Sequence, residues 1–391
     1  MSKIQLSEVI RDIAAGPFGS NLKVSCFVES GFPIIDGANL KGYKVTDNVT
    51  KFVTEEKARS LHRAIAKRND VVVTISGTLG QIAYIPCDSE YEEYLVSQRQ
   101  FRVTFDEEKV YVPYLVFYFH SYEGQHKILS FANQVGVPAL SQPLKNFRNI
   151  EIDLPSLVEQ KKIASVIETI NNKIENNNKI NYNLSEMLQT IYDNQFSDIS
   201  SSISNGKLAD ICYYSKDKIS VSKLTVHKYY STENMLPEKV GAIEATNLPA
   251  ASQTTKCKKG DVLISNIRPY FKKILYSWSE CGCSNDVLCF SPKHNDLSAY
   301  LFCTLYKDQF FNFMVAGSKG TKMPRGDKQQ IMTYPIQIPT SRQLDVFNGI
   351  AFPILKQIKE NQEQTNNLIS LRDALLPVLI SGKININEIV F

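Results

Sequence analysis

Apolar side chains after Pro155 recur at Ile163, Val166, Ile170, Ile174, Leu184, Met187 and Ile191, spaced by threes and fours with one polar gap. That period belongs to a helix with a single buried seam, and proline is tolerated at a helix start. Asn177 and Asn181 fill the gap on the same spacing. Polar residues in a coiled-coil seam cost stability while setting register and partner orientation. Shifting the numbering by 184 carries Pro155 onto Pro339 and the seven apolar positions onto Phe347, Ile350, Ile354, Ile358, Leu368, Leu371 and Leu375. The gap returns as Asn361 and Thr365. Recurrence of the proline and the polar break, as well as the apolar positions, points to duplication rather than to two unrelated core helices. The duplicated helices are expected to pair antiparallel, with the four polar positions near their midpoint.

Elsewhere the pattern is of short mixed elements. Leu6 to Ala14 reads as a first helix-like segment, followed by the glycine-rich turn Gly16-Pro17-Phe18-Gly19-Ser20. Pro33 to Gly37 and Asp70 to Ile75 read as buried strands, and Tyr111 to Phe119 as an aromatic helix entered at Pro113. The second half restates this: Lys259 to Ser265 matches Arg68 to Thr74 at a shift of 191, and Tyr300-Leu301 echoes Tyr114-Leu115. The loops differ where the strands agree. Gly77-Thr78-Leu79-Gly80 follows the first strand, whereas Ile267-Arg268-Pro269-Tyr270-Phe271-Lys272-Lys273 follows the second. Different loops on like strand ends are how one scaffold reads different ligands. Ser197 to Asn205 reads as a hinge.

At 391 residues the chain suits two domains with connectors. Lysine and arginine (44) barely exceed aspartate and glutamate (40), so a nucleic-acid surface has to be a local concentration of charge. No run approaches the roughly 18 apolar residues of a membrane span, and MSKIQLSEVI lacks a signal peptide's apolar stretch. A cytoplasmic location is expected. The eight cysteines form no C-x-x-C pair and have no histidine at ligand spacing, so they are expected to be free thiols acting as small buried apolar groups, with no metal bound.

Catalytic signatures are missing from the sequence. There is no phosphate-loop lysine motif, no G-x-G-x-x-G after a strand and no Asn-Pro-Pro-aromatic run of an adenine methyltransferase. The acidic triplets Glu55-Glu56-Lys57 and Glu107-Glu108-Lys109 are of a kind that usually marks solvated turns. Basic and amide-rich loops give a stronger signal. Ala316 to Lys328 holds four cations and three glycines in thirteen residues, suited to phosphates, with solubilising loops as the alternative. Its first-half counterpart, Ala132 to Ser141, is amide-rich. Amides pair with adenine and cations with guanine, so unlike loops suggest unlike base sequences. The residues expected to face DNA are Phe18, Ser20, Lys23, Thr78, Gln81, Asn133, Gln134 and Lys145 in the first half. In the second they are Asn266, Arg268, Tyr270, Lys272, Ser318, Lys319, Lys322 and Arg325.

The run from Gly136 through Leu140, Leu144 and Phe147 to Ile152-x-Leu154-Pro155-x-Leu157-x-Glu159-Gln160 resembles the junction of a target-recognition domain with its spacer helix in specificity subunits of type I restriction-modification enzymes. Leu371-Arg372-Asp373-Ala374-Leu375-Leu376-Pro377-x-Leu379-Ile380-Ser381-Gly382-x-Ile384 is similar to the end of the second spacer helix in that family. The resemblance implies a non-enzymatic subunit that reads double-stranded DNA, holds two modification subunits and, with them, recruits restriction subunits. It implies no cofactor on this chain, with S-adenosylmethionine on the modification subunit. The second junction, Ile338 to Gln343, is read as one residue shorter and lacks a Glu before Gln, and Pro353 interrupts the second helix, so the two helix starts are not expected to match.

These readings combine into an α+β fold of two similar target-recognition domains in pseudo-two-fold arrangement, separated by two long helices forming an antiparallel coiled coil. The boundaries expected are 1–155, 156–197, 198–339 and 340–391. Spacer contacts are expected at Ile163, Ile170, Ile174, Asn177, Asn181 and Leu184, and at Ile354, Ile358, Asn361, Leu368, Leu371 and Leu375. From Ser156 to Thr190 the spacer would measure roughly 50 Å, or about 15 base pairs, implying a split and asymmetric target. The rivals are a stand-alone endonuclease or fused modification enzyme, and a purely structural coiled-coil adaptor.

Overall fold

The computed structural model describes residues 2–133, 137–196, 205–320 and 322–382. Of the expected hinge from Ser197 to Asn205, all but Asn205 lies outside these residues, as do Gln134 and the chain after 382. Two compact units result, Met1–Asn172 with Leu368–Phe391, and Lys173–Asn367, so the division falls inside the long helices and not at the junctions.

In the first unit, strands Ile10–Ala15, Gln100–Phe105, Val71–Thr74 and Ile82–Tyr84 form an antiparallel four-stranded sheet in that order. A five-stranded sheet around the parallel pair Phe32–Ile35 and Glu93–Val96 adjoins it. Val71 to Thr74 are all buried, as a continuous β-branched run should be when a sheet is covered on both faces. The aromatic helix Val112–His120 buries eight of its nine residues, with Pro113 in its first turn. Leu6 to Ala14 is not a helix. A single 3-10 turn, Leu6–Glu8, leads into the strand Ile10–Ala15. A helix that short is marginal alone, and the neighbouring strand supplies the backbone partners instead.

The second unit repeats the sheet strand for strand: Cys212–Tyr214, Val287–Pro292, Val262–Ser265 and Ile274–Tyr276. One buried carboxylate repeats with it. Asp70 lies beside Arg102, whereas Asp261 accepts from the Cys289 thiol at 3.2 Å and the Lys258 N–H at 2.7 Å. Burial pushes the Asp261 carboxyl up, against the pull of those hydrogen bonds. A carboxyl raised in the folded state contributes stability that is fully present below its unfolded pKa of about 4 and lost as pH rises through the folded value. Asp261→Asn is therefore expected to be more stable than the parent at pH 7, with the advantage vanishing near pH 4. Urea denaturation at the two pH values measures the difference, and a gain that is equal at both would refute it.

Each long helix is continuous, Leu157–Phe196 and Ser341–Ile380. Their starts match after all. Ser156 and Glu159 form a capping box, with Ser156 N–H on Glu159 at 3.0 Å and Glu159 N–H on Ser156 Oγ at 3.4 Å. Thr340 and Gln343 repeat it at 2.9 and 3.4 Å. A Gln side chain accepts from the cap N–H as a Glu does, and Glu159 and Gln343 differ by the same shift of 184 as the rest of the repeat. Pro353 does not interrupt the second helix: it is exposed, between buried Ala351 and buried Ile354.

Within the second unit the helix segments run antiparallel. Asn177 donates to Gln364 at 2.9 Å, Asn181 to the Ile358 carbonyl at 3.1 Å, Asn361 to Asn181 at 2.8 Å and Gln195 to the Gln343 carbonyl at 2.7 Å. Asn177, Asn361 and Thr365 are buried, so the polar gap is a bonded polar seam. In the first unit Arg372 reaches Asn171 at 3.3 Å and stacks over the Tyr43 ring. The seam positions Met187, Ile350 and Leu371 prove 45%, 43% and 48% exposed, while Leu188, Tyr192, Ala351 and Leu376 are buried. A straight helix turns at 3.6 residues, so a stripe read at 3.5 drifts off the buried face toward the ends. Ile163, Ile170 and Ile354 are buried, and Ile174, Leu184, Ile358, Leu368 and Leu375 are half-buried. Among the described residues no helix is long and apolar enough to cross a membrane.

Candidate nucleic-acid interface

In both units the loop that follows the central strand is tied to the loop that precedes the helix junction. In the first, Ser76 bridges Ala139, and Gly77 N–H donates to the Pro138 carbonyl at 3.0 Å. In the second, Ile267 bridges Arg325, and Arg268 N–H donates to the Pro324 carbonyl at 2.8 Å. Loops far apart in sequence thus become one surface in each unit.

The first unit's surface surrounds a pocket of about 490 Å³ lined by Gly77, Thr78, Gln81, Gln98, Arg99 and Gln100 among others. Thr78 is exposed at its rim. Gln81 is not a free reader of bases: it accepts from Thr74 Oγ1 and donates to the Gly37 carbonyl, both at 3.0 Å. Both ends of its amide serve the fold. Phe18 is 82% exposed on its turn, with Ser20 and Lys23 exposed beside it, but none of the three lines the pocket. Asn133 and Lys145 are exposed away from the pocket lining. Gln98 and Arg99, which also line the pocket, are not among the residues the sequence points to. Both are exposed, and the Arg99 carbonyl accepts from Ile75 N–H at 2.6 Å, which places this arginine beside the Gly77 loop. The only signal was a polar Ser97-Gln98-Arg99-Gln100 run between strand-like segments. Lys51, also on the pocket wall, is held by Asp36 at 2.7 Å. Burial pushes the Asp36 carboxyl up, but the Lys51 ammonium and the Ala38 N–H together hold it below its ordinary value.

In the second unit Asn266 is a correction, since it is 6% exposed and turned inward. Its backbone N–H is used by the Asp286 carbonyl at 2.8 Å. Arg268 and Lys272 adopt positive φ of 50° and 51°, a conformation costly for side chains with a Cβ, and bracket the 3-10 turn Pro269–Phe271. That turn presents Tyr270 and Phe271, 46% and 38% exposed, with ring centroids 4.8 Å apart. The cations are less available than the sequence suggests. Lys319 meets Asp327 at 2.7 Å, Arg325 meets Asp286 at 3.1 Å and Lys272 meets Asp308 at 3.1 Å. Ser318 donates to the Val315 carbonyl at 2.7 Å. Lys322 is exposed and, among the described residues, has no ion-pair partner.

Six of the eight cysteines are buried free thiols, whereas Cys26 is half-buried and Cys87 is exposed, contrary to a uniformly apolar role. Cys257, Cys281, Cys283 and Cys289 pack with Met235 and Leu263 as one apolar cluster. Among the described residues no three His, Cys, Asp or Glu side chains are placed to hold a metal ion.

Comparisons with known proteins agree with this duplicated arrangement. The family model of the type I restriction modification DNA specificity domain matches twice, at residues 21–186 and 202–370. The specificity subunit of type I restriction enzyme MjaIX from Methanocaldococcus jannaschii is 22% identical over 421 residues, covering 97% of this chain and 93% of the relative. The MjaVIII specificity subunit of the same organism is 26% identical over 174 residues, covering 44% of this chain and 40% of the relative. The crystal structure of the S subunit of a type I restriction-modification system from M. genitalium shares the fold, with a TM-score of 0.57 at 14% identity, covering 97% of this chain and 95% of that one. With two matched copies spanning most of its length, the chain belongs to the type I restriction-modification DNA specificity family.

Proposed function

We propose that this chain reads a split, asymmetric double-stranded DNA target for a type I restriction-modification complex. The observation that carries the reading is the pair of strand-for-strand equivalent sheets whose linked loops differ in chemistry: glycine, amide and Arg99 in one unit, a strained aromatic turn with Lys322 in the other. Equal scaffolds with unequal loops select unequal half-sites. In this reading the chain holds two modification subunits, through them engages restriction subunits, and works in the cytoplasm. Methyl transfer then uses S-adenosylmethionine bound on the modification subunit, and the chain alone binds none.

Methylation mapping in a host that expresses the chain with its modification subunit tests this. Two different short half-sites separated by unread base pairs are expected, and a contiguous or palindromic target would sink the proposal. A variant with about 7 residues, two helical turns, inserted after both Asn177 and Asn361 extends each helix by about 10 Å, or about three base pairs. It is expected to widen the gap and leave both half-sites unchanged. An unchanged gap would remove the helices from the role of spacer.

A further inference from the structure

Beyond Lys322 on its basic loop, the second unit gathers three further lysines, unpaired among the described residues, around one pocket. The strand Cys212–Tyr214 leads into Ser215-Lys216-Asp217-Lys218. There, a pocket of about 410 Å³ is lined by Lys216, Lys218, Lys328, Thr255 and Asn285, with Tyr214 behind them. Among the described residues none of the three ammonium groups has an ion-pair partner, and no carboxylate lines the pocket. The nearby acids are engaged elsewhere. Asp217 holds Lys258 at 2.6 Å, and Asp327 holds Lys319 at 2.7 Å while accepting Gln329 and Gln330 N–H at 2.9 and 3.2 Å.

The lysines are also placed by the fold. Lys218 Nζ donates to Thr255 Oγ1 at 3.3 Å, and Tyr214 Oη donates to the Lys328 carbonyl at 3.1 Å. Lys328 directly follows the loop that bridges Ile267, and Asn285 precedes the Asp286 that holds Arg325, so two of the lining residues adjoin that surface along the chain. Three like charges around one concavity repel one another unless an anion lies between them. The pocket described in the first unit has no such set: its lysine, Lys51, is already paired with Asp36.

We propose that Lys216, Lys218 and Lys328 are the backbone anchor of the second recognition domain, taking phosphate oxygens of duplex DNA while the Tyr270 turn and Lys322 face the bases. The inference rests on the DNA-reading function proposed above and assigns the phosphate contacts within it. A sequence-independent anchor beside a sequence-reading loop sets position without changing what is read.

The test is duplex binding by the assembled modification complex carrying K216Q/K218Q/K328Q, measured from low to moderate salt. Each lost phosphate contact should remove about 0.9 from the slope of log affinity against log salt, so the triple variant should lose roughly 2 to 3 units of slope. Weakening of tenfold or more is expected for target and non-target duplexes alike, with the methylated sequence unchanged. The charge-keeping triple K216R/K218R/K328R should restore the slope, which separates lost charge from lost folding. A glutamine triple with the parent slope, or one that changes the methylated sequence at constant slope, overturns the assignment, as does failure of the arginine triple to restore it. If the parent complex neither binds nor methylates duplex DNA, the proposed function fails instead.

Discussion

Phe347→Ala is expected to cost the second unit about 3 to 5 kcal/mol, the range for removing a fully buried aromatic ring and leaving a cavity. Phe347 has no exposed surface and meets the rings of Tyr192 and Phe196 edge-on at 5.9 and 5.2 Å. Those two rings in turn contact Tyr300, on the helix Ser298–Tyr306, at 5.3 and 4.8 Å. One cluster therefore joins both long-helix segments to the body of this unit, and the Tyr192 hydroxyl bonded to Thr304 at 2.8 Å depends on its geometry. Denaturant unfolding of the full chain should show a lowered midpoint for this unit. Met187→Ala and Leu371→Ala, at exposed positions, should each stay within about 0.5 kcal/mol of the parent. A large loss at Met187 or Leu371 would return the buried stripe to the register read at 3.5 residues per turn, and a small one at Phe347 would remove it from the cluster that joins the helix segments to this unit.

Arg102→Met is the counterpart in the first unit, with an expected loss of about 3 to 5 kcal/mol at neutral pH, because it strips a buried charge of its partner. The Arg102 side chain is 10% exposed, contacts Asp12 at 2.6 Å and Asp70 at 4.0 Å, and donates to the Arg63 carbonyl at 2.9 Å. Asp70 has 5% side-chain exposure and accepts from Thr104 at 2.6 Å. Burial already pushes its carboxyl up, while Thr104, the Lys67 N–H and Arg102 pull it back. Without Arg102 the folded-state value rises further. Since a raised carboxyl stabilises below its unfolded pKa of about 4 and loses that contribution as pH climbs through the folded value, the variant's deficit should be largest at pH 7 and shrink toward pH 4. Asp70→Asn in the same background should recover much of the loss. A deficit that is constant with pH would show that lost packing, and not the unpaired carboxylate, dominates.

The loop cations that are less available than their sequence suggests share a cause. Lys272, Lys319 and Arg325 look like free cations in sequence, yet their carboxylate partners lie 36, 8 and 39 positions away. Exposed ion pairs of this kind contribute little to stability, but they lower the net charge that a loop can offer to phosphates. Gln81 differs for a related reason, because a polar side chain beside a strand end can be consumed by the fold, whereas Asn266 is buried with its Oδ1 unpartnered among the described residues.

What the sequence determined by itself was whatever short-range physics encodes. The repeated stripe, its polar break and the buried Val71–Thr74 and Val262–Ser265 runs all depend on side chains within a few residues of one another. Their periods and spacings are written locally, and the duplication writes them twice. Only the tertiary structure decided that Ile10–Ala15 is a strand, that Leu188 and not Met187 faces inward, and that Asn177 and Asn361 are bonded across a buried seam. It alone gathered Lys216, Lys218 and Lys328 around one pocket. Each of those outcomes depends on groups brought together by closing long stretches of chain, where the partner's identity and position, and not the local pattern, set the energy.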